Sequence, residues 1–129
     1  MRLLLDTHVF LWAIQEAKKL SIPAQEAIRD LNNEVFVSAI SGFEIANKHR
    51  LGKLPGFEGI VEGFPTMIRR LRARELPVTA QHATFAGSFD WQHRDPFDRF
   101  LVAQAACDGL TLVSADPVFG ELGWVETLW

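Results

Sequence analysis

Cysteine is almost absent from this chain. Cys107 stands alone, which excludes an intramolecular disulfide and points to a reducing compartment, with the cytoplasm as the expected location. Positive charge is not in excess either. Lys and Arg total 13 against 16 Asp and Glu, a formal net charge of −3, so nothing global advertises nucleic-acid binding and any such binding has to be local. No apolar run is long enough to cross a bilayer: Asp6 interrupts Leu3, Leu4 and Leu5, and the next run, Val9 to Ile14, covers six residues, where about 20 are needed. A soluble, unprocessed protein without membrane contact is expected. Internal repeats and linkers are missing too. What is there, 129 residues of which 48% are hydrophobic and 22% charged, suits a single domain over residues 1–129 with a packed core, and not a disordered, collagen-like or low-complexity chain.

Short apolar runs alternate with longer stretches of helical spacing. Arg2 to Asp6 reads as a strand, and Val9, Phe10, Ala13 and Ala17 then recur at helical intervals. Pro23 opens a second helix that stops at Asn32-Asn33. Glu34 to Ala39 has the Val35-Phe36-Val37 core of a buried strand, and Ser41 with Glu44 three residues on predicts a capping box that restarts a helix, ended by Gly52, Pro55 and Gly56. Pro65 predicts a break between two short helices within Phe57–Glu75. Leu76 to Thr79 is a strand candidate and Gln81 to Phe89 a short helix. Asp95-Pro96 opens a helix closed by Asp108-Gly109. Thr111 to Ser114 is another buried strand, Asp116-Pro117 caps a short helix, and Val125 to Trp129 adds an edge strand. The alternation predicts an α/β fold with a mostly parallel sheet covered on both faces, whose ligands bind beyond the carboxyl ends of the strands.

Four carboxylates fall where that architecture focuses chemistry. Asp6 ends the first strand, Glu44 lies at the start of the helix after the second, Asp98 sits in the first turn of the Asp95 helix, and Asp116 follows the strand ending at Ser114. Each has a plain structural use: Glu44 in a capping box, Asp98 against the helix dipole, Asp116 as an N-cap. Asp6 is harder to explain that way, because a sheet gains nothing from a charge after three leucines. Asp98 continues at i+3, i+4 and i+7 into Leu101, Val102 and Ala105, the core-facing stripe. Asp95 competes with Asp98, but its place before Pro96 makes capping its expected role. Acids brought together on one rim repel unless a cation intervenes. Oxygen ligands without a His or Cys cluster suit Mg²⁺ or Mn²⁺ rather than Zn²⁺, one ion or two, and such a site can polarise a phosphate and activate water. His8, His49, His82 and His93 have no ligand spacing among them. His8 is near enough to Asp6 to reach the site, but a metal-activated water needs no histidine base.

The segments LLLDTHVFLWA, VSAISGFEIANKHRLGKL, HRDPFDRFLVAQA and LVSADPVF resemble the successive blocks of PIN-domain ribonucleases, specifically the VapC-like toxins of type II toxin-antitoxin systems. The match runs from Leu3 to Trp129. It implies a PIN-like three-layer α/β/α sandwich, a Mg²⁺- or Mn²⁺-dependent endoribonuclease, a homodimer, and a cognate antitoxin that covers the active site. The family's acids carry over onto Asp6, Glu44 and Asp98, with Asp116 the fourth and Thr7 and Ser114 as hydroxyl neighbours. His8 departs from the Asn or Ser often found after the Asp-Thr pair.

Charge placement supplies an independent substrate clue. Residues 48–74 carry seven basic and two acidic residues, a local balance of +5 against −8 for the rest. Such a basic shoulder beside an acidic centre suits RNA, with Lys48, Arg50 and Lys53 as the candidate contacts. Arg69, Arg70, Arg72 and Arg74 follow but cannot all point one way. Cys107, among alanines, is expected to fill core. Trp12, Trp91, Trp124 and Trp129 can stack bases or pack. Two other functions compete. A haloacid-dehalogenase-like phosphoaspartyl phosphatase also ends its first strand with Asp, but would need an acid at position 8, which is His. A catalytically inactive PIN-like module would use the same acids only to bind a basic peptide.

Overall fold

The computed structural model describes residues 1–129. Its elements are β1 (Arg2–Leu5), α1 (Thr7–Gln15), a 3₁₀ turn (Ala17–Lys19), α2 (Ile22–Arg29), β2 (Glu34–Ser38), α3 (Ala39–Arg50), α4 (Ile60–Arg70), β3 (Arg74–Leu76), α5 (Ala80–Ser88), α6 (Pro96–Asp108), β4 (Thr111–Val113), a 3₁₀ turn (Pro117–Glu121) and β5 (Thr127–Leu128). The strands form one sheet in the order β3-β2-β1-β4-β5. Every pairing is parallel, with Leu4 of β1 opposite Phe36 on one side and Leu112 on the other.

Three consecutive leucines in β1 follow from that position. A central parallel strand is covered on both faces and has no solvent side to alternate toward; Leu3, Leu4 and Leu5 are all fully buried. Leu3 and Leu5 join Val9, Phe10, Ile45 and Ile68 in the core beneath α1–α4, whereas Leu4 joins Leu101, Val102 and Phe119 beneath α6. Helices thus cover both faces, giving the three-layer α/β/α arrangement. No helix is long and apolar enough to cross a membrane.

Four local expectations change. Ser41 does not cap α3: the helix begins at Ala39, and Ser38 accepts from the Ile40 amide at 3.0 Å, leaving Ser41 buried and bonded to Thr7 at 2.8 Å. Pro65 does not divide its segment. It sits within the single helix α4, on its exposed side, where water can satisfy the Val61 carbonyl that proline leaves unpaired. The third strand ends at Leu76 instead of starting there, and Thr79 caps α5 through a reciprocal bond pair with His82. Cys107 is half-buried near the end of α6 and outside both cores.

Gly42 sets the packing of α3 on α4. A Cβ there would lie 2.8 Å from the Phe64 ring, and that ring is held edge-on to Phe10 at 5.4 Å. The helix approach depends on a missing side chain.

Candidate active site

The strand order reverses its direction of growth at β1: β2 and β3 extend the sheet to one side, β4 and β5 to the other. A crevice forms at such a switch point because the connections leaving the two neighbouring strands diverge. Asp6 and Ser114 meet there. The Asp6 amide completes the ladder with the Val113 carbonyl at 3.0 Å, and Ser114 Oγ donates to Asp6 Oδ2 at 2.7 Å. The same serine oxygen accepts the Asp116 amide at 3.0 Å, while Asp116 Oδ1 accepts from Val118. One hydroxyl therefore ties the ends of β1 and β4 to the turn that carries the fourth acid.

Glu44 arrives from the second turn of α3 and is buried. Its Oε2 is bonded by Lys48 Nζ one turn on, at 2.5 Å, and the Thr7–Ser41 bond fixes the start of α1 against the same helix. Asp98 comes from the first turn of α6, capped by Asp95 Oδ1, which accepts the Phe97 and Asp98 amides at 2.9 and 3.4 Å. His93 Nε2 and Asp98 Oδ2 share a hydrogen bond at 2.6 Å. Together Asp6, Glu44, Asp98 and Asp116 line one cavity of about 390 Å³, with Asp95, Lys48, His8 and Trp12 in its walls.

Five carboxylates facing one space against a single lysine is an unbalanced charge. Burial raises the Asp6 carboxyl above the ordinary carboxylate range; the Ser114 bond and the His8 charge oppose the shift, and Glu44 adds to it. Asp98 is pushed up to about 6, chiefly by burial, with His93 pulling down and Asp95 and Asp6 pushing up. The donor atoms of His93, Asp95 and Asp98 lie within 4.8 Å of one another. Two of these three donors are carboxylate oxygens, which suit a hard divalent cation, and Asp6, Glu44 and Asp116 line the same cavity outside that close group.

The cavity brings together all four acids selected from the sequence, together with Lys48. Arg50 and Lys53 do not line it. Arg50 lies about 9 Å further along α3 than Glu44 at 1.5 Å per residue, and bonds Asn47. Arg70 and Arg72 line a separate groove with Asp30 and Asn33, by the amino end of β2, and Arg74 faces Glu34 at 3.6 Å. The basic segment is divided between the two ends of the sheet.

His93, Ser41 and Arg99 were not identified from the sequence as parts of the site. Arg99 donates to the carbonyls of Ala86, Trp91, His93 and Phe89 at 2.8, 3.0, 3.2 and 2.5 Å, folding the segment before α6 around its guanidinium and so holding His93 over Asp98. The signal for His93 was its proximity to Asp98, five residues on; because it lies in a loop, no periodicity marks it.

Residues 3–125 match the PIN domain family. No curated protein matches the chain in sequence. Among solved structures, a chain of VapBC2 from Rickettsia felis, bound to a DNA fragment from its promoter, is 15% identical with a TM-score of 0.66 over 99% of this chain and 98% of that one. VapBC-1 from nontypeable Haemophilus influenzae is 16% identical, with a TM-score of 0.69 over 99% and 97%. FitAcB from Neisseria gonorrhoeae is 17% identical, with a TM-score of 0.62 over 98% and 96%. The fold is the same in each.

Proposed function

The chain belongs to the PIN-domain family, and on that premise we propose that it is a divalent-metal-dependent endoribonuclease, the toxin of a toxin-antitoxin pair. The observation that carries the reading is the convergence of Asp6, Glu44, Asp98 and Asp116, from four separate parts of the chain, on one cavity. Asp6, Glu44, Asp98 and Asp116 would hold Mg²⁺ or Mn²⁺. A bound cation supplies polarisation of the phosphodiester and activation of water. Thr7 and Ser114 orient the ligands through Ser41 and Asp6. Lys48 offsets the charge of Glu44 and would meet a phosphate oxygen of the substrate once a cation takes over that charge.

An antitoxin partner is supported by the toxin-antitoxin complexes among the structural neighbours. A homodimer belongs to the same reading; Phe43, 63% exposed on α3 and 5.8 Å from the Phe97 ring, is apolar surface that pairing would cover. The near-absence of cysteine suits the cytoplasm. His8, standing where a phosphoaspartyl phosphatase needs its second acid, argues against that chemistry.

The test is cleavage of single-stranded RNA in Mg²⁺ or Mn²⁺. Activity should vanish in EDTA and in Asp98→Asn with the circular dichroism spectrum unchanged. Cleavage that survives chelation overturns the mechanism, and a stable beryllofluoride adduct at Asp6 would favour the phosphatase.

A further inference from the structure

The four tryptophans divide into two groups. Trp91 and Trp124 belong to an aromatic cluster with Phe85 and Phe89 and do not line the acidic cavity: Trp91 stacks on Phe89 at 5.7 Å and bonds Glu121, and Trp124, 52% exposed, meets Phe89 and Phe85 edge-on. Trp12 and Trp129 are not in that cluster. Trp12 lines the acidic cavity from α1, half-buried against the core, and its ring lies 6.0 Å from that of Trp129 on one side and 6.0 Å from that of His8 on the other. Trp129 is 41% exposed. His8 and Trp12 line the cavity, and Trp129 extends their aromatic surface beyond it.

We propose that the Trp12–Trp129 pair is a nucleobase subsite, on which a base of single-stranded RNA next to the cleaved phosphodiester stacks. The inference rests on the ribonuclease reading and adds a substrate contact to it. A cleaved phosphodiester must sit at the carboxylate cluster, and its neighbouring bases then fall within one nucleotide's reach of the cavity wall. Every base has a π-face, so the Trp12 indole in that wall, extended outward by the exposed Trp129 ring beside it, captures a base without demanding a particular sequence. Lys48 in the same cavity supplies charge for the backbone but no surface for a base. An arginine-rich peptide is the rival occupant, because guanidinium also stacks on indole and is drawn to the acids. RNA is favoured because a cation held by the acids cancels that attraction and leaves the rings unaffected.

The experiment compares wild type, Trp129→Ala, Trp129→Phe and Trp12→Phe on single-stranded RNA whose cleaved bond has been mapped, and on the same RNA made abasic on either side of that bond. Binding to an Asp98→Asn background is read in parallel by fluorescence anisotropy. For Trp129→Ala we expect KM and Kd to rise roughly five- to a hundredfold with kcat little changed, and Trp129→Phe to recover most of the loss. One abasic position should reproduce the defect in wild type and add nothing in Trp129→Ala. Equal losses on intact and abasic RNA, or none, overturn the subsite. So does a defect confined to binding hexa-arginine. Wild type that cleaves no RNA with either metal sinks the nuclease reading itself, a failure visible before any substitution is made.

Discussion

Asp98 holds its charge in a place that disfavours it. Its carboxyl is pushed from 3.8 to about 6, mainly by burial, so the folded protein keeps the neutral form to a higher pH than the unfolded chain does. The stability this group contributes is fully present below the unfolded value near 3.8 and is lost as pH rises through about 6. Burial of Asp6 acts in the same direction. Without metal, wild type should therefore melt higher at pH 5 than at pH 8 relative to Asp98→Asn, whose profile should be flatter. At pH 8 the Asn variant should be more stable by about 1–3 kcal/mol, read by thermal melts in EDTA. His93 acts through Asp98. Its 2.6 Å bond fixes which carboxylate oxygen is free, so His93→Ala should weaken Mn²⁺ binding roughly 10- to 100-fold in a calorimetric titration while the protein stays folded. That His93 was not legible in the sequence has a physical cause: a loop residue is placed by the Arg99 bonds to its neighbours' carbonyls, which leave no spacing to read.

Helices and strands were legible where burial alone decides them. The leucines of β1 and the Val-Phe-Val of β2 could only be strands in a covered sheet, and Asp95-Pro96 fixed the start of α6. Where two local signals compete, the tertiary contact decides. Ser41-x-x-Glu44 has the spacing of a cap, but Ser38 is one residue after Val37 in the ladder, and starting the helix there lets Ser41 meet Thr7 and Glu44 enter the cavity. The α3–α4 contact is testable at Gly42. Gly42→Ala forces its methyl into the Phe64 ring and should cost about 1–3 kcal/mol, with part of the loss recovered in Gly42→Ala with Phe64→Leu, measured by urea denaturation. Arg72 sits at φ 56 where α4 turns into β3, a conformation that favours glycine, so Arg72→Gly should leave stability unchanged or raise it by up to about 1 kcal/mol.

At the scale of the molecule, the four acids could be found because a parallel sheet directs every strand's carboxyl end to one rim, and position in the strand-helix alternation gives position in space. The basic residues obeyed no such rule. Lys48 reaches the cavity because it is one turn from Glu44, whereas Arg70 and Arg72, close in sequence, follow α4 to the other end of the sheet. On the proposed metal-dependent reading, concentrating five carboxylates at one rim couples the stability of the fold to the cation. Their repulsion is present in the folded chain and largely absent in the unfolded one, so a cation that binds only the folded site stabilises it by mass action, with the relief of that repulsion contained in its affinity. At a free Mg²⁺ or Mn²⁺ concentration a hundredfold above Kd, the gain should be about 2.7 kcal/mol, seen as a rise of several degrees in Tm over the EDTA sample. In Asp6→Asn the metal-free Tm should equal or exceed that of wild type, and added metal should move it little. A metal-induced rise of the same size in Asp6→Asn would mean that the cation is held elsewhere, and the rim would lose its claim to be the site.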